Sequence, residues 1–296
     1  MDAVDACGCA GDCPWGGPAP SGGPAALVLP ALPLLEFALA VTGRPGVVMA
    51  QTGRYQPVTR PGEALAAPRG AIGLRVAEDR LRASVIVRGR GERMLRLASR
   101  GGEVVHTVRS LSPADALVID SLDRPEARLG RSRPSARRGA ASDGGDQLAD
   151  LDAVIADGGA ERRRRMAGAG RERAVSIDVG VIPEVLDHLC ATELPLSAVV
   201  FADGAAQIAD GAVQVVTGTA QGRVGAVLGS CTIDVDLAHV REALAVTSHG
   251  PHGPTSALEL YAHDGSVLLL LTQLGIVAPG IHAAWQDIME SLPLAH

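Results

Sequence analysis

Apolar and polar residues alternate with a period of two along much of the chain, which is typical of strands that bury one face. Residues 95–100 alternate in this way, and Gly101-Gly102 separates them from the apolar stretch at residues 104–108. Asp264-Gly265 lies between two similar stretches and is a favoured two-residue hairpin connection. The pattern therefore predicts antiparallel hairpins.

Helical spacing is confined to short stretches of the chain. We predict helices over residues 34–41, 183–190 and 283–292. Trp285, Ile288 and Leu292 share one face of the last of these helices. Pro183 suits the first turn of its helix, where its missing N–H is not needed. Together the two patterns predict an α+β fold with two mainly antiparallel sheets flanked by helices.

Three blocks of sequence recur in the same order, at offsets of about 165, 161 and 163 residues. Such ordered recurrence predicts an internal duplication of one α+β unit. The blocks pair residues 46–53 with 211–218, 72–76 with 233–237, and 95–105 with 258–268.

Composition divides the chain further. Residues 1–26 are rich in Gly, Pro and Cys and are expected to form a disordered tail. The two repeats are predicted at residues 27–123 and 174–296, and the Arg-rich residues 124–173 are predicted to form the linker between them.

Charge is distributed unevenly, and all 27 cationic residues are Arg. Residues 1–123 carry 13 Arg and 12 acids, residues 124–173 carry 12 Arg and 8 acids, and residues 174–296 carry 2 Arg and 13 acids. The acidic last third and a total of six Phe, Trp and Tyr residues argue against nucleic-acid binding. We interpret the run Arg162–Arg165 as a solvated linker face rather than a nucleic-acid patch.

The cysteines and the N-terminal sequence bear on metal binding and location. Cys7, Cys9 and Cys13 could hold a soft metal, but a zinc site needs four ligands, so a frayed tail is the favoured interpretation. The odd total of five Cys does not suggest a secreted disulfide framework. Acidic residues near the start and the prolines within residues 25–41 argue against a signal peptide and against membrane insertion. We expect a cytoplasmic protein.

Several motifs resemble those of the HemS/ChuX haem-utilisation family. Residues 255–265 read TSALELYAHDG, and Pro279-Gly280 is followed by Trp285, as at the start of that family's closing helix. Residues 47–58 read VVMAQTGRYQPV, and residues 104–108 include His106 in a phrase similar to A-V-H-K-V. The resemblance implies a cytoplasmic protein of two similar halves that binds or degrades haemin.

The ligand positions implied by that resemblance are substituted. The axial His of the family's D-V-H phrase corresponds to Gly180 here, and a propionate-pairing Arg corresponds to Val277. Further positions at which the family carries His or Arg correspond to Met49, Val216, Asp234 and Asp236. A conventional haem site of this family is therefore expected to be electrostatically poor, because propionates need cationic or multiple hydrogen-bond partners.

Three residues are candidates for holding haem in this chain. His188 lies eight residues after Gly180, about two helical turns along the same face, and could replace the missing ligand. Met49 could act as a thioether ligand, and Tyr55 matches a family position. The alternatives are an exposed helix histidine for His188 and a core residue for Met49. His249 and His252 have a spacing that could hold a metal weakly, with a solvated turn as the alternative.

Enzyme signatures such as a nucleophile elbow, a phosphate-binding loop or a zinc-protease motif are absent from the sequence. The resemblance implies a haem-binding and haem-trafficking protein of iron acquisition, with haemin and a haem transporter or haem oxygenase as the expected partners. One alternative is a scaffold that no longer binds haem and serves in interaction or regulation. The third hypothesis is a haem-degrading enzyme, in which the haem iron performs the chemistry.

Overall fold

The computed structural model describes residues 23–63, 70–87, 93–122, 147–170, 173–218, 222–250, 253–274 and 278–295. The helices are α1 (Ala116–Leu122), α2 (Gln147–Asp157), α3 (Ala160–Gly168), α4 (Ile182–Thr192) and α5 (Pro279–Ser291). The strands are β1 (Gly23–Pro24), β2 (Ala38–Arg44), β3 (Val47–Gly53), β4 (Gly73–Val76), β5 (Leu81–Val87), β6 (Arg93–Ser99), β7 (Val104–Ser110), β8 (Ala174–Ile177), β9 (Pro195–Ala202), β10 (Ala205–Ala212), β11 (Val215–Gly218), β12 (Arg223–Leu228), β13 (Cys231–Asp236), β14 (Val240–Gly250), β15 (Gly253–Ala262) and β16 (Val267–Thr272).

The strands form two antiparallel sheets, and the predicted α+β class is confirmed. The nine-stranded sheet has the order β1-β5-β6-β7-β2-β3-β13-β12-β11, and the seven-stranded sheet has the order β4-β10-β9-β16-β15-β14-β8. Each sheet includes strands from the other half of the chain: β13, with β12 and β11 beyond it, pairs with β3, and β4 pairs with β10. This exchange joins the two halves through main-chain hydrogen bonds as well as through side-chain packing.

Strand register shows the duplication directly. Leu97 of β6 is opposite His106 of β7, and Leu260 of β15 is opposite Leu269 of β16, so both pairs are related by an offset of 163 residues. A register shift follows immediately after Leu97 and after Leu260. The third sequence block is therefore aligned as predicted. Both copies of the block also have the register shift at the equivalent position.

The first sequence block was aligned to the wrong segment. The β2–β3 hairpin corresponds to β9–β10, because Val41 is opposite Ala50 as Val199 is opposite Ile208. Residues 46–53 thus match residues 204–211 at an offset of 158, not residues 211–218. Both candidate segments begin and end with Gly seven residues apart and have similar apolar content, so the sequence pattern could not distinguish them. In the second block, β4 and β13 do occupy equivalent places, but the register differs by two residues from the sequence match.

The helix predicted at residues 34–41 is wrong. Residues Leu29–Leu34 form a 3-10 helix with Pro33 inside it, and Ala38–Arg44 form β2. β2 lies in the interior of the nine-stranded sheet, and four consecutive residues from Ala40 are buried. An apolar stretch of this length fits a helix and an interior strand equally well. The helices predicted at 183–190 and 283–292 are confirmed as α4 and α5, although α4 is longer at both ends and α5 begins four residues earlier and ends one residue earlier than predicted.

The core of the C-terminal half lies between the two sheets and helices α4 and α5. Leu186 and Leu189 of α4 pack there with Trp285 and Met289 of α5. Trp285 is completely buried, and its indole N–H donates to the Ser256 carbonyl at 2.8 Å. Both helices are thus fixed by their apolar faces, which leaves their polar faces side by side at the surface.

Helices α2 and α3 lie inside the stretch predicted as a linker. Their apolar residues Leu151, Val154 and Met166 pack in one cluster with residues of the seven-stranded sheet. Arg162 is buried, and its guanidinium contacts the carboxylates of Glu259 at 2.5 Å and Asp150 at 2.8 Å. The interpretation of the whole Arg run as solvated is therefore wrong for Arg162, because two buried carboxylates compensate its charge. In the part of the chain that the structure describes, no helix has the length and apolar character needed to cross a membrane.

Candidate functional site

His188 lies in a surface groove between α4 and α5 with a volume of about 300 Å³. The other lining residues are Thr192, Leu194, Ala284, Asp287, Ile288 and Ser291. His188 is exposed, and its imidazole has no hydrogen-bond partner among the described residues. A nitrogen ligand is therefore available at this surface without the loss of an internal contact.

The amphipathic pattern of the two helices explains why these side chains meet. On α4, Val185, Leu186 and Leu189 face the core, so His188 and Thr192 face outward. On α5, Trp285 and Met289 are the buried residues, and Asp287 and Ser291 face outward. Helix α4 ends at Thr192 and is followed by the capping residue Glu193, whose φ of 49° lies in the left-handed region that terminates many helices. The chain then turns into β9.

The groove has an apolar wall and an acidic rim. Leu194, Ala284 and Ile288 supply the apolar surface, and Thr192 and Ser291 supply hydroxyl groups. Asp287 is the single acidic residue among the lining residues, which include no Arg. The two Arg of residues 174–296 are Arg223 and Arg241, and Arg223 pairs with Asp234 at 2.5 Å. The groove thus offers a metal ligand and a hydrophobic contact but no cation for an anionic group.

Met49 and Tyr55, the other predicted haem contacts, lie away from this groove in the interior. Met49 is completely buried in β3 and belongs to the core of the C-terminal half. Tyr55 is buried, and its hydroxyl lies 2.9 Å from Nε2 of His106. The structure does not bring the three candidates together, and a haem role for Met49 or Tyr55 stays a prediction.

Tyr55 belongs to a neutral buried hydrogen-bond network that crosses between the halves. Nδ1 of His106 lies 2.6 Å from the Thr42 hydroxyl, which donates to Oε1 of Gln207 at 2.7 Å. Because Thr42 donates to Gln207, it accepts from His106, so Nδ1 carries the proton and Nε2 accepts from Tyr55. Burial lowers the pKa of His106 to about 3 and raises the pKa of Tyr55 well above its ordinary value. The network is therefore uncharged at neutral pH, and it links the two halves of the chain through buried hydrogen bonds.

The position that the resemblance assigns to the axial ligand is occupied by a capped turn. Gly180 lies in the 3-10 turn Val179–Val181 that precedes α4, and its N–H donates to Oδ1 of Asp178 at 2.9 Å. The three atoms nearest to a Cβ added at Gly180 would all belong to the Asp178 carboxylate, with Oδ1 at 3.3 Å. A side chain at this position would therefore require that carboxylate to shift slightly, and the glycine itself supplies no ligand atom.

Other predicted positions are structural, or fall outside the described parts. Asp234 is paired with Arg223, while the Asp236 carboxylate accepts from the Ala238 N–H at 3.0 Å and lies 3.1 Å from His239. Val216 is half-buried in β11 against the core.

No group of three or more His, Cys, Asp or Glu side chains within the described ranges is placed to hold a metal ion. Val277, His252, the Cys7, Cys9 and Cys13 tail and the side chain of His249 lie outside the described residues.

The fold and groove define a class of protein: a duplicated antiparallel α+β protein with strands exchanged between its halves. Residues 159–292 match the family model of the haemin-degrading HemS/ChuX domain. A search of curated protein sequences finds no match. This match agrees with the resemblance to the HemS/ChuX family that the sequence motifs indicated.

Solved structures show the same fold over most of the chain. Apo-PhuS, a haem-binding protein from Pseudomonas aeruginosa, is 20% identical with a TM-score of 0.69, covering 91% of this chain and 85% of PhuS. Holo-PhuS is 22% identical with a TM-score of 0.68 and the same coverage. ChuS, a haem oxygenase from Escherichia coli, is 16% identical with a TM-score of 0.71, covering 91% of this chain and 87% of ChuS. At these identities the likeness establishes the fold.

The part of the groove that sequence reasoning missed is its α5 side. Asp287 and Ile288 lie about 100 positions from His188 in the sequence, and nothing in the local pattern links them. The available signal was the polar face of each amphipathic helix. That signal identifies which residues are exposed, but it does not show which helices are neighbours.

Proposed function

We propose that this protein binds haemin transiently in the groove at His188 and passes it on, as a haem-trafficking protein. The observation that carries the proposal is the exposed imidazole of His188 in a groove with an apolar wall. The HemS/ChuX domain and the haem-binding and haem-degrading proteins that share the fold support a haem-related role. When bound, haem would supply iron that takes up further ligands and undergoes redox change.

The residues of the groove fit one edge of a porphyrin. A His nitrogen is a common axial ligand for haem iron, and Leu194, Ala284 and Ile288 can cover part of an apolar macrocycle. A volume of about 300 Å³ is at the small end for ligand sites, so much of a bound porphyrin would stay in water. Such partial coverage favours release over retention. It also favours trafficking over degradation, because an exposed cofactor is poorly shielded from side reactions.

A titration of the full chain with haemin tests this function. We expect a saturable change in the Soret band of the wild-type protein near one equivalent, and its loss in His188→Ala. His263→Ala is the matched control, because His263 is also an exposed histidine but lies outside the groove. A Soret band that responds equally in wild type and His188→Ala would reject His188 as the ligand.

A second function has its own structural support. The resemblance places the axial ligand at Gly180 and a propionate partner at Val277, and the groove residues include no Arg. These substitutions fit a relative that kept the scaffold and serves in interaction or regulation. A wild-type spectrum identical to that of haemin with an inert protein would favour this function over haem binding.

Location and partners belong to the same proposal. We place the protein in the cytoplasm, with a haem transporter as donor or a haem oxygenase as acceptor. Mixing the haemin-loaded protein with candidate haem oxygenases tests the proposed acceptor. Transfer of haemin to a specific partner must be faster than its spontaneous release.

A further inference from the structure

We infer that Asp287 is a specificity and release residue of the groove, which repels the propionates of haemin and favours porphyrins with neutral or cationic edges. This inference rests on the proposed function, because it concerns the same groove. It differs from that function in assigning a role to a residue that does not bind iron. The role of Asp287 can be rejected while haemin binding at His188 is retained.

The charges of the groove point to this role. Asp287 and His188 line the same groove, so a porphyrin bound to the His188 imidazole lies beside a carboxylate. The other polar lining groups, Thr192 and Ser291, are neutral hydroxyls that do not offset a negative charge. Haemin carries two propionates, and a like charge at close range weakens binding unless a cation intervenes. No cation is present among the lining residues, so the repulsion is not compensated.

The net charge of residues 174–296 has the same sign as Asp287. Residues 174–296 carry 13 acids against 2 Arg, and Arg223 is already paired with Asp234. Haemin is therefore expected to bind with its propionates turned out of the groove into water, where they keep their hydration. An exposed charge has a modest effect that salt screens, so we expect roughly a threefold to tenfold change in release rate.

Transfer of haemin to excess apomyoglobin measures the release rate by stopped-flow absorbance. We expect Asp287→Asn to release haemin about threefold to tenfold more slowly than wild type, and Asp287→Arg more slowly again. The matched control is Glu103→Gln, which removes the same charge at an exposed position in the N-terminal half. The differences should shrink at about 1 M salt, where the screening length is only about 3 Å.

A second probe separates charge repulsion from a change in groove shape. Iron porphyrin with N-methylpyridinium edges carries positive charge and should bind Asp287→Asn more weakly than wild type, the reverse of haemin. Wild-type release rates for Asp287→Asn, or the same direction of change for both porphyrins, would overturn the role of Asp287. Failure of the proposed function looks different, because haemin would then leave the Soret band unchanged in wild type and in every variant.

Discussion

The two repeats carry opposite charges at one equivalent position. Arg96 of β6 corresponds to Glu259 of β15 at the offset of 163 residues, and both side chains are buried. Arg96 is flanked in register by Ser84 and Thr107, whereas Glu259 is flanked by Leu244 and Leu270. The two sheet faces kept their register after duplication but acquired different electrostatics.

This difference explains why α3 packs on one half. Glu259 accepts two contacts from the Nε of Arg162 at 3.0 Å and a further one from Tyr261 at 2.5 Å. Burial works to lower the pKa of Arg162, but Glu259 and Asp150 raise it above its ordinary value, so the cation is maintained. An Arg on the same helix could not pair with Arg96. The contact between α3 and β15 therefore depends on the acidic residue that β15 carries at this position.

A second contrast concerns the neighbouring strands β7 and β16. His106 of β7 corresponds to Leu269 of β16, and the polar network of His106 has an apolar counterpart in the C-terminal half. The N-terminal half thus buries neutral hydrogen bonds where the C-terminal half buries aliphatic side chains. The two halves should respond differently to pH and to mutation.

The largest expected effect is the loss of the buried cation at Glu259. Arg162→Ala leaves the carboxylates of Glu259 and Asp150 without their partner, so we expect a loss of about 3–5 kcal/mol in the free energy of unfolding. Denaturant unfolding measures this loss. Arg164→Ala is the matched control, because Arg164 is exposed and its pair with Glu161 contributes at most about 1 kcal/mol. Equal losses in the two variants would contradict a buried ionic contact.

Truncation of paired leucines tests whether the halves are packed equally. Leu97 and Leu260 are equivalent and fully or almost fully buried. Each Leu→Ala variant should lose about 2–5 kcal/mol, because both remove the same atoms from a close-packed core. Denaturant unfolding of both variants under one set of conditions gives the comparison. A loss confined to one half would show that the other repeat relaxes around the cavity.

A more gradual effect, spread over several pH units, is expected from His106. Its folded pKa of about 3 lies below the ordinary value of 6.5, so the unfolded chain takes up a proton first as the pH falls. His106 therefore contributes stability above pH 6.5 that is lost as the pH falls toward 3, at up to about 1.4 kcal/mol per pH unit. We expect His106→Gln to lose less stability than wild type between these pH values, as measured by urea unfolding. His263→Gln, at an exposed site, should retain the wild-type slope.

The sequence by itself determined the class of fold and the resemblance to the HemS/ChuX domain. Period-two alternation predicted the hairpins, and helical spacing with Trp285 and Pro183 predicted α4 and α5. These features are local, because strand and helix periods reflect which neighbouring side chains share a face. The block from residue 95 to 105 also aligned correctly, since its turn and its apolar pattern both recur.

The tertiary structure decided which segments are neighbours. It assigned residues 38–44 to an interior strand rather than a helix, exchanged β4 and β13 between the sheets, and buried Arg162 in a stretch that resembled a linker. It also brought Asp287 beside His188 in one groove. Each of these outcomes depends on contacts between residues far apart in sequence. Side-chain periodicity carries no information about such contacts, because it records only that a face is buried and not what covers it.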